Sequence, residues 1–277
     1  MGGSRFHPRR FFALLDQIDK DSLSDSLDGS ARNRLLGSLL IAAACLLFVN
    51  YAKNADFFYG MIKLVSSWFD VRPYVVFQAM KVQPYFSIYS QAWWGFVNVL
   101  GYLLIPMLCV KFIMKQSVRD YGWQWGDVTA HKWWYVLLAS PIMIFAILVS
   151  FRPDFSSHYP FYPLAYRSWS DFVLWECIYM SQFVAVEFFF RGFLVNALKP
   201  RLGSLSIVVM CLPYLMIHFP KPWLESTGAI LFGLFLGILA LRSRSIWGGV
   251  LVHITIALTM DVAALLQGKG LPSTLLP

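Results

Sequence analysis

The run Phe183–Leu198, FVAVEFFFRGFLVNAL, decides how the rest of the chain is read. It is a long apolar stretch with one acid, Glu187, and one base, Arg191, set into its middle. On a helix, side chains four residues apart lie one above the other on the same face, so the two charges can meet. In hydrocarbon each ionised side chain costs roughly 2.5–3.5 kcal/mol on insertion scales, which makes an intramembrane charge a mark of function. The plainer alternative is a buried ion pair that only fixes helix packing.

Composition places that run in a membrane. The chain has 277 residues, 58% hydrophobic and only 14% charged, where a soluble domain carries about 25% charged residues. Outward from Glu187, similar apolar stretches recur at about Leu35–Ala52, Ser87–Met114, Trp133–Phe151, Phe172–Leu198, Leu205–Phe219, Thr227–Leu241 and Ile246–Leu266. The expected fold is all-α: a multi-pass transmembrane helix bundle of about seven spans. Between the first two, DFFYGMIKLVSSWFD sets Phe57, Met61, Leu64, Val65 and Trp68 at helical spacing, the pattern of an amphipathic helix lying in the interface. Val71–Pro84 reads as a connector. Gly228, Gly233 and Gly237 in the sixth stretch are small residues that let helices approach closely.

Residues 1–34 are polar and charged, with no cleavable signal pattern, and read as a cytoplasmic lead-in with one short helix from Phe11. The net charge of +8 is loop charge that sets orientation and carries no nucleic-acid implication. Arg32/Arg34, Lys111/Lys115/Arg119/Lys132, Lys199/Arg201 and Arg242/Arg244 fall at alternate span ends. That spacing predicts a cytoplasmic N-terminus and, with seven spans, a C-terminus on the other side. Cys45, Cys109, Cys177 and Cys211 stand singly in separate apolar runs and read as buried, inert thiols.

Two more ionisable groups fall on the later stretches: His218 in YLMIHFPKPWLE and His253 in GGVLVHITIALTMD. Each alone reads as a satisfied hydrogen-bonding residue. Together with Glu187 and Arg191 they supply a carboxylate and two imidazoles, a set suited to hydrolysis. Glu187 could take a proton from water, a histidine could orient that water or steady an oxyanion, and Arg191 could hold the carboxylate. Two His and one Glu would also satisfy a catalytic zinc site, although the spacing does not imply one and there is no HExxH.

The order ExxxR, aromatic-xxx-His, then His on the last span resembles the CPBP intramembrane protease family. That family includes the type II CAAX prenyl endopeptidases and bacterial proteins associated with bacteriocin self-immunity. The resemblance covers about residues 170–266, with weaker support from the loop DYGWQWGD. Against the family pattern EExxxR, FxxxH and HxxxN, Val186 stands at the first glutamate, Tyr214 at the phenylalanine and Ala257 at the asparagine. The first departure bears on chemistry, because the family's first glutamate is usually assigned as the base. Glu225 and Asp261 are the candidate replacements; the plainer readings are a solvated loop acid and a helix-end charge facing water. Glu176, three turns before Glu187, lies about 16 Å from it along the helix and is too distant for a dyad.

The resemblance implies a glutamate-dependent endopeptidase, in a family often labelled metalloprotease, acting on a membrane-associated protein or peptide in a bacterial inner membrane. Its segments would be a cytoplasmic part (1–34), N-terminal spans with the interfacial helix and a loop (35–132), and a protease core (133–270). Val186 and Ala257 favour a catalytically silent binding or scaffold protein as the alternative. A proton-coupled transporter is the third reading, weakened because the ionisable residues form no chain across the bilayer.

Overall fold

Apolar runs of this length, in a solvent that offers the backbone no hydrogen-bond partners, satisfy their own amides by coiling. The computed structural model describes residues 13, 15–20, 29–221 and 223–277, and among them it contains helices and no strand. The polar lead-in and the helix from Phe11 lie largely outside the described residues; residues 15–20 are helical. The main helices are α1 (Gly29–Ala52), α2 (Ala55–Trp68), α3 (Pro73–Lys81), α4 (Phe86–Ile113), α5 (Lys132–Val149), α6 (Trp169–Leu202), α7 (Leu205–Met216), α8 (Trp223–Ser243) and α9 (Trp247–Gln267).

Six of them, α1, α4, α5, α6, α8 and α9, are long and apolar enough to cross a membrane, and they fall on six of the seven expected stretches. The chain is thus an all-α, polytopic helical membrane protein. The remaining stretch forms α7, a helix of 12 residues, about 18 Å at 1.5 Å per residue against a hydrocarbon core of about 30 Å. Its apolar run breaks into turns at His218–Lys221, ahead of α8. The stretch expected as a connector holds α3, which starts on Pro73 at a position where a missing amide hydrogen costs nothing. Helix α2, of 14 residues, leaves Phe57, Leu64, Val65 and Trp68 exposed, as a helix lying against lipid would.

By packing, the chain divides into two compact units. The first takes the described residues of Met1–Ala43, Pro106–Lys132 and Glu187–Gly249. In it α7 lies close against α8. A methyl at Gly233 would sit 2.7 Å from Cys211 Sγ, and one at Gly237 2.5 Å from Ile207, whereas Gly228 faces open space. The loop after α4 clamps the same unit: the Asp127 amide donates to the Ser243 carbonyl at 2.8 Å and the Ile246 amide to that of Gly122 at 3.1 Å. Residues 15–20 join this end of the unit. Asp19 accepts from the Ser204 amide and hydroxyl, Gln17 accepts from Arg242, and Ile18 is buried.

The second unit takes Ala44–Ile105, Trp133–Val186 and Val250–Pro277. Its core is aromatic: Trp175, Tyr162, Tyr179 and Phe172 pack with Ile88, Ala257 and Leu265. Asp171, fully buried, is satisfied by Arg167 (2.8 Å through both Nε and Nη2), Tyr162 (2.9 Å) and Ser168 (2.7 Å).

Candidate active site

Glu187 ends the regular part of α6, and the next seven residues, Phe188–Leu194, wind as a π-helix with every one of them buried. Wider turns of this kind occur mostly as single insertions in α-helices, often at functional sites. Here the turn holds Arg191, and its Nη1 lies 3.1 Å from Glu187 Oε1 with both side chains 0% exposed. The pair read from the four-residue spacing therefore forms. Its depth makes it costly to break, since removing either partner leaves a charge without compensation.

Two neighbours shape the pair. The Arg191 guanidinium lies 4.0 Å from the centroid of the Tyr214 ring, where the negative face of the aromatic attracts a cation. On the other side, any methyl at Gly249 would run into the Glu187 carboxylate, so glycine is what lets the first turn of α9 approach the acid. Tyr214 also reaches His218: the rings meet edge to face at 4.6 Å, and His218 Nδ1 lies 2.7 Å from the Tyr214 carbonyl. A carbonyl can only accept, so the proton sits on Nδ1 and Nε2 is the basic nitrogen of the neutral ring. The Ser226 hydroxyl donates to the His218 carbonyl at 2.7 Å and ties the turn to the start of α8.

Within the first unit, then, Glu187, Arg191 and His218 are joined through Tyr214. Glu225, in the same unit, forms an ion pair with Lys221. His253 belongs to the second unit, half-buried, with its ring stacked on Phe183 at 5.3 Å and 7°. Ala257, one turn further on, contributes to that unit's aromatic core. Asp261 is not a helix-end charge facing water. It is fully buried and accepts from the Trp175 indole at 2.7 Å, with the Glu176 carboxyl close beside it. Glu176 thus has an acid partner, and that partner is Asp261. Among the described residues no group of three or more His, Cys, Asp and Glu is arranged to hold a metal ion.

Outside the spans, the loop after α4 is as tightly held as the helices. The Tyr121 hydroxyl donates to Gln116 Oε1 at 2.5 Å, and its ring stacks on Phe193 in the π turn. Burial pushes the phenol up to about 12.

The family model described as type II CAAX prenyl endopeptidase, Rce1-like, matches residues 168–259. Over those residues the chain is similar to that family. No curated protein and no solved structure matches the chain. The matched segment contains Glu187, Arg191, His218 and His253, and it overlaps the stretch on which the resemblance to the CPBP family rests. The family matched is one of proteases.

Sequence reasoning passed over Tyr214, taking it as a mild substitution for phenylalanine; the signal was its place four residues before His218, which puts both on one helix face. It also passed over Trp175 and the Glu176–Asp261 pair. Nothing local marked them, because the two acids are 85 residues apart.

Proposed function

We propose that the chain is an intramembrane endopeptidase cleaving a peptide bond in a membrane-associated protein or peptide, with Glu187 as the base. The observation that carries this reading is the fully buried Glu187–Arg191 pair inside the Rce1-like segment. Glu187 takes a proton from water, and the resulting hydroxide attacks the carbonyl carbon. His218 and His253 orient the water and steady the tetrahedral oxyanion, and Arg191 positions the carboxylate. The C–N bond then breaks as the leaving amine takes the proton from Glu187.

In this reading residues 133–270 are the protease core, 35–132 the N-terminal spans with interfacial helix and loop, and 1–34 a cytoplasmic segment. The membrane is the bacterial inner membrane, with the N-terminus in the cytoplasm. Support for that orientation comes from the first unit, where residues 15–20 contact Ser204 and Arg242, beside the span ends that carry Lys199/Arg201 and Arg242/Arg244.

The test uses the full chain in lipid vesicles and a fluorogenic peptide anchored by a prenyl group. Glu187→Gln should lower turnover by about 100-fold or more, the usual worth of a general base. Equal turnover in wild type and variant sinks the assignment. A second reading, a silent binder of hydrophobic peptides, is favoured by Val186, buried where the family pattern has an acid. It requires that wild type bind the anchored peptide without cleaving it.

A further inference from the structure

Tyr214 lies in the last turn of α7 and is fully buried in the first unit. Three side chains surround its ring. Phe190, in the π turn, meets it edge to face at 5.2 Å, and His218 does the same at 4.6 Å. The Arg191 guanidinium lies over the ring at 4.0 Å from its centroid. Arg191 in turn reaches Glu187 through Nη1 and Oε1 at 3.1 Å. One contact of that kind sets a separation and leaves the guanidinium free to turn about its own bonds, and arginine has more rotamer freedom to lose than most side chains. An aromatic face removes that freedom, because it attracts a cation most strongly where water is excluded.

We infer that Tyr214 is a positioning residue: the face of its ring fixes the Arg191 guanidinium in the direction from which it holds the Glu187 carboxylate. Support runs from Phe190 and His218 to the ring, from the ring to Arg191, and from Arg191 to the acid. Tyr214 touches no reacting atom in this scheme. What it offers Arg191 is the negative face of an aromatic ring, which a phenylalanine also has, so the hydroxyl is not the working part. A base must be held close to its productive geometry, and a misplaced one costs rate. Loss of the ring's hold therefore appears in kcat and leaves KM alone. The effect on turnover rests on the reading of Glu187 as the base; the hold on Arg191 does not, and it is measured without turnover.

In the full chain, Tyr214 is replaced by phenylalanine (Tyr214→Phe) and, at the same position, by pentafluorophenylalanine, which keeps the ring's shape and reverses its quadrupole. A side chain that only fills space would not register the exchange. Against Tyr214→Phe, the fluorinated chain in detergent should melt about 2–4 °C lower. In the background Glu187→Gln/Arg191→Met, where no cation lies over the ring, the same exchange should leave the midpoint where it is. With the anchored peptide in vesicles, fluorination should lower kcat about tenfold and leave KM unchanged. Trifluorophenylalanine should give intermediate values of both, and it carries the comparison if the pentafluoro chain does not fold. The proposal is overturned if fluorination shifts the midpoint equally in both backgrounds, or if the wild type cleaves and kcat ignores fluorination. Absence of cleavage by the wild type would instead sink the peptidase reading, with the melting comparison still deciding whether the ring holds Arg191.

Discussion

Glu187 and Arg191 are individually unfavourable in hydrocarbon, and each is tolerated because of the other. Arg191→Met alone should therefore destabilise the protein by about 3–5 kcal/mol, since Glu187 is left as an uncompensated charge. The double variant Glu187→Gln/Arg191→Met should recover most of that loss. Denaturant unfolding in detergent micelles measures both, and an additive pair of losses would show that the charges do not interact. Gly249→Ala tests the close approach to the acid. Its methyl displaces the Glu187 carboxylate from a fully buried pair with Arg191, so the melting point should fall, by less than in Arg191→Met, where the partner charge is lost outright. Turnover should fall about 10- to 100-fold, because the carboxylate leaves its working position.

The elements around this pair were legible in unequal measure. The run from Phe183 to Leu198 announced a helix with its charges on one face, and it is one. That seven of its residues wind as a π-helix was not visible, because the choice between α and π winding depends on what packs against the turn. Part of that packing is the loop after α4, whose Tyr121 stacks on Phe193. Tyr121 also gives this loop a pH signature. In the folded protein the phenol keeps its proton up to about pH 12, against about 10 when unfolded. The stability it contributes is complete below pH 10 and is lost as pH rises from 10 towards 12. Melting points measured across that window should fall, and Tyr121→Phe should make the fall shallower.

For the molecule as a whole, the orientation proposed from the Lys and Arg pattern gives each loop a side that labelling can check. Helix α7 spans too little to cross unaided, so the turn at His218–Lys221 must supply the rest of the path between α6 and α8. In a background lacking Cys45, Cys109, Cys177 and Cys211, a cysteine at the exposed Asp127 should react with an impermeant thiol reagent only from the cytoplasmic face. One at Leu276 should react only from the opposite face. Labelling of Leu276→Cys from the cytoplasm would mean that an even number of segments cross.

Helix content, six of the spans and the Glu187–Arg191 pair could be read directly from residue order, because hydrophobic length and four-residue spacing are local properties of the chain. The resemblance to a protease family was equally local, carried by short motifs within single helices. The folded chain alone decided which groups at long separation meet: Tyr214 between Arg191 and His218, and Asp261 under Trp175 beside Glu176. Such meetings depend on how helices pack, and packing is set by side-chain shape summed over the whole bundle, which no short stretch of sequence contains.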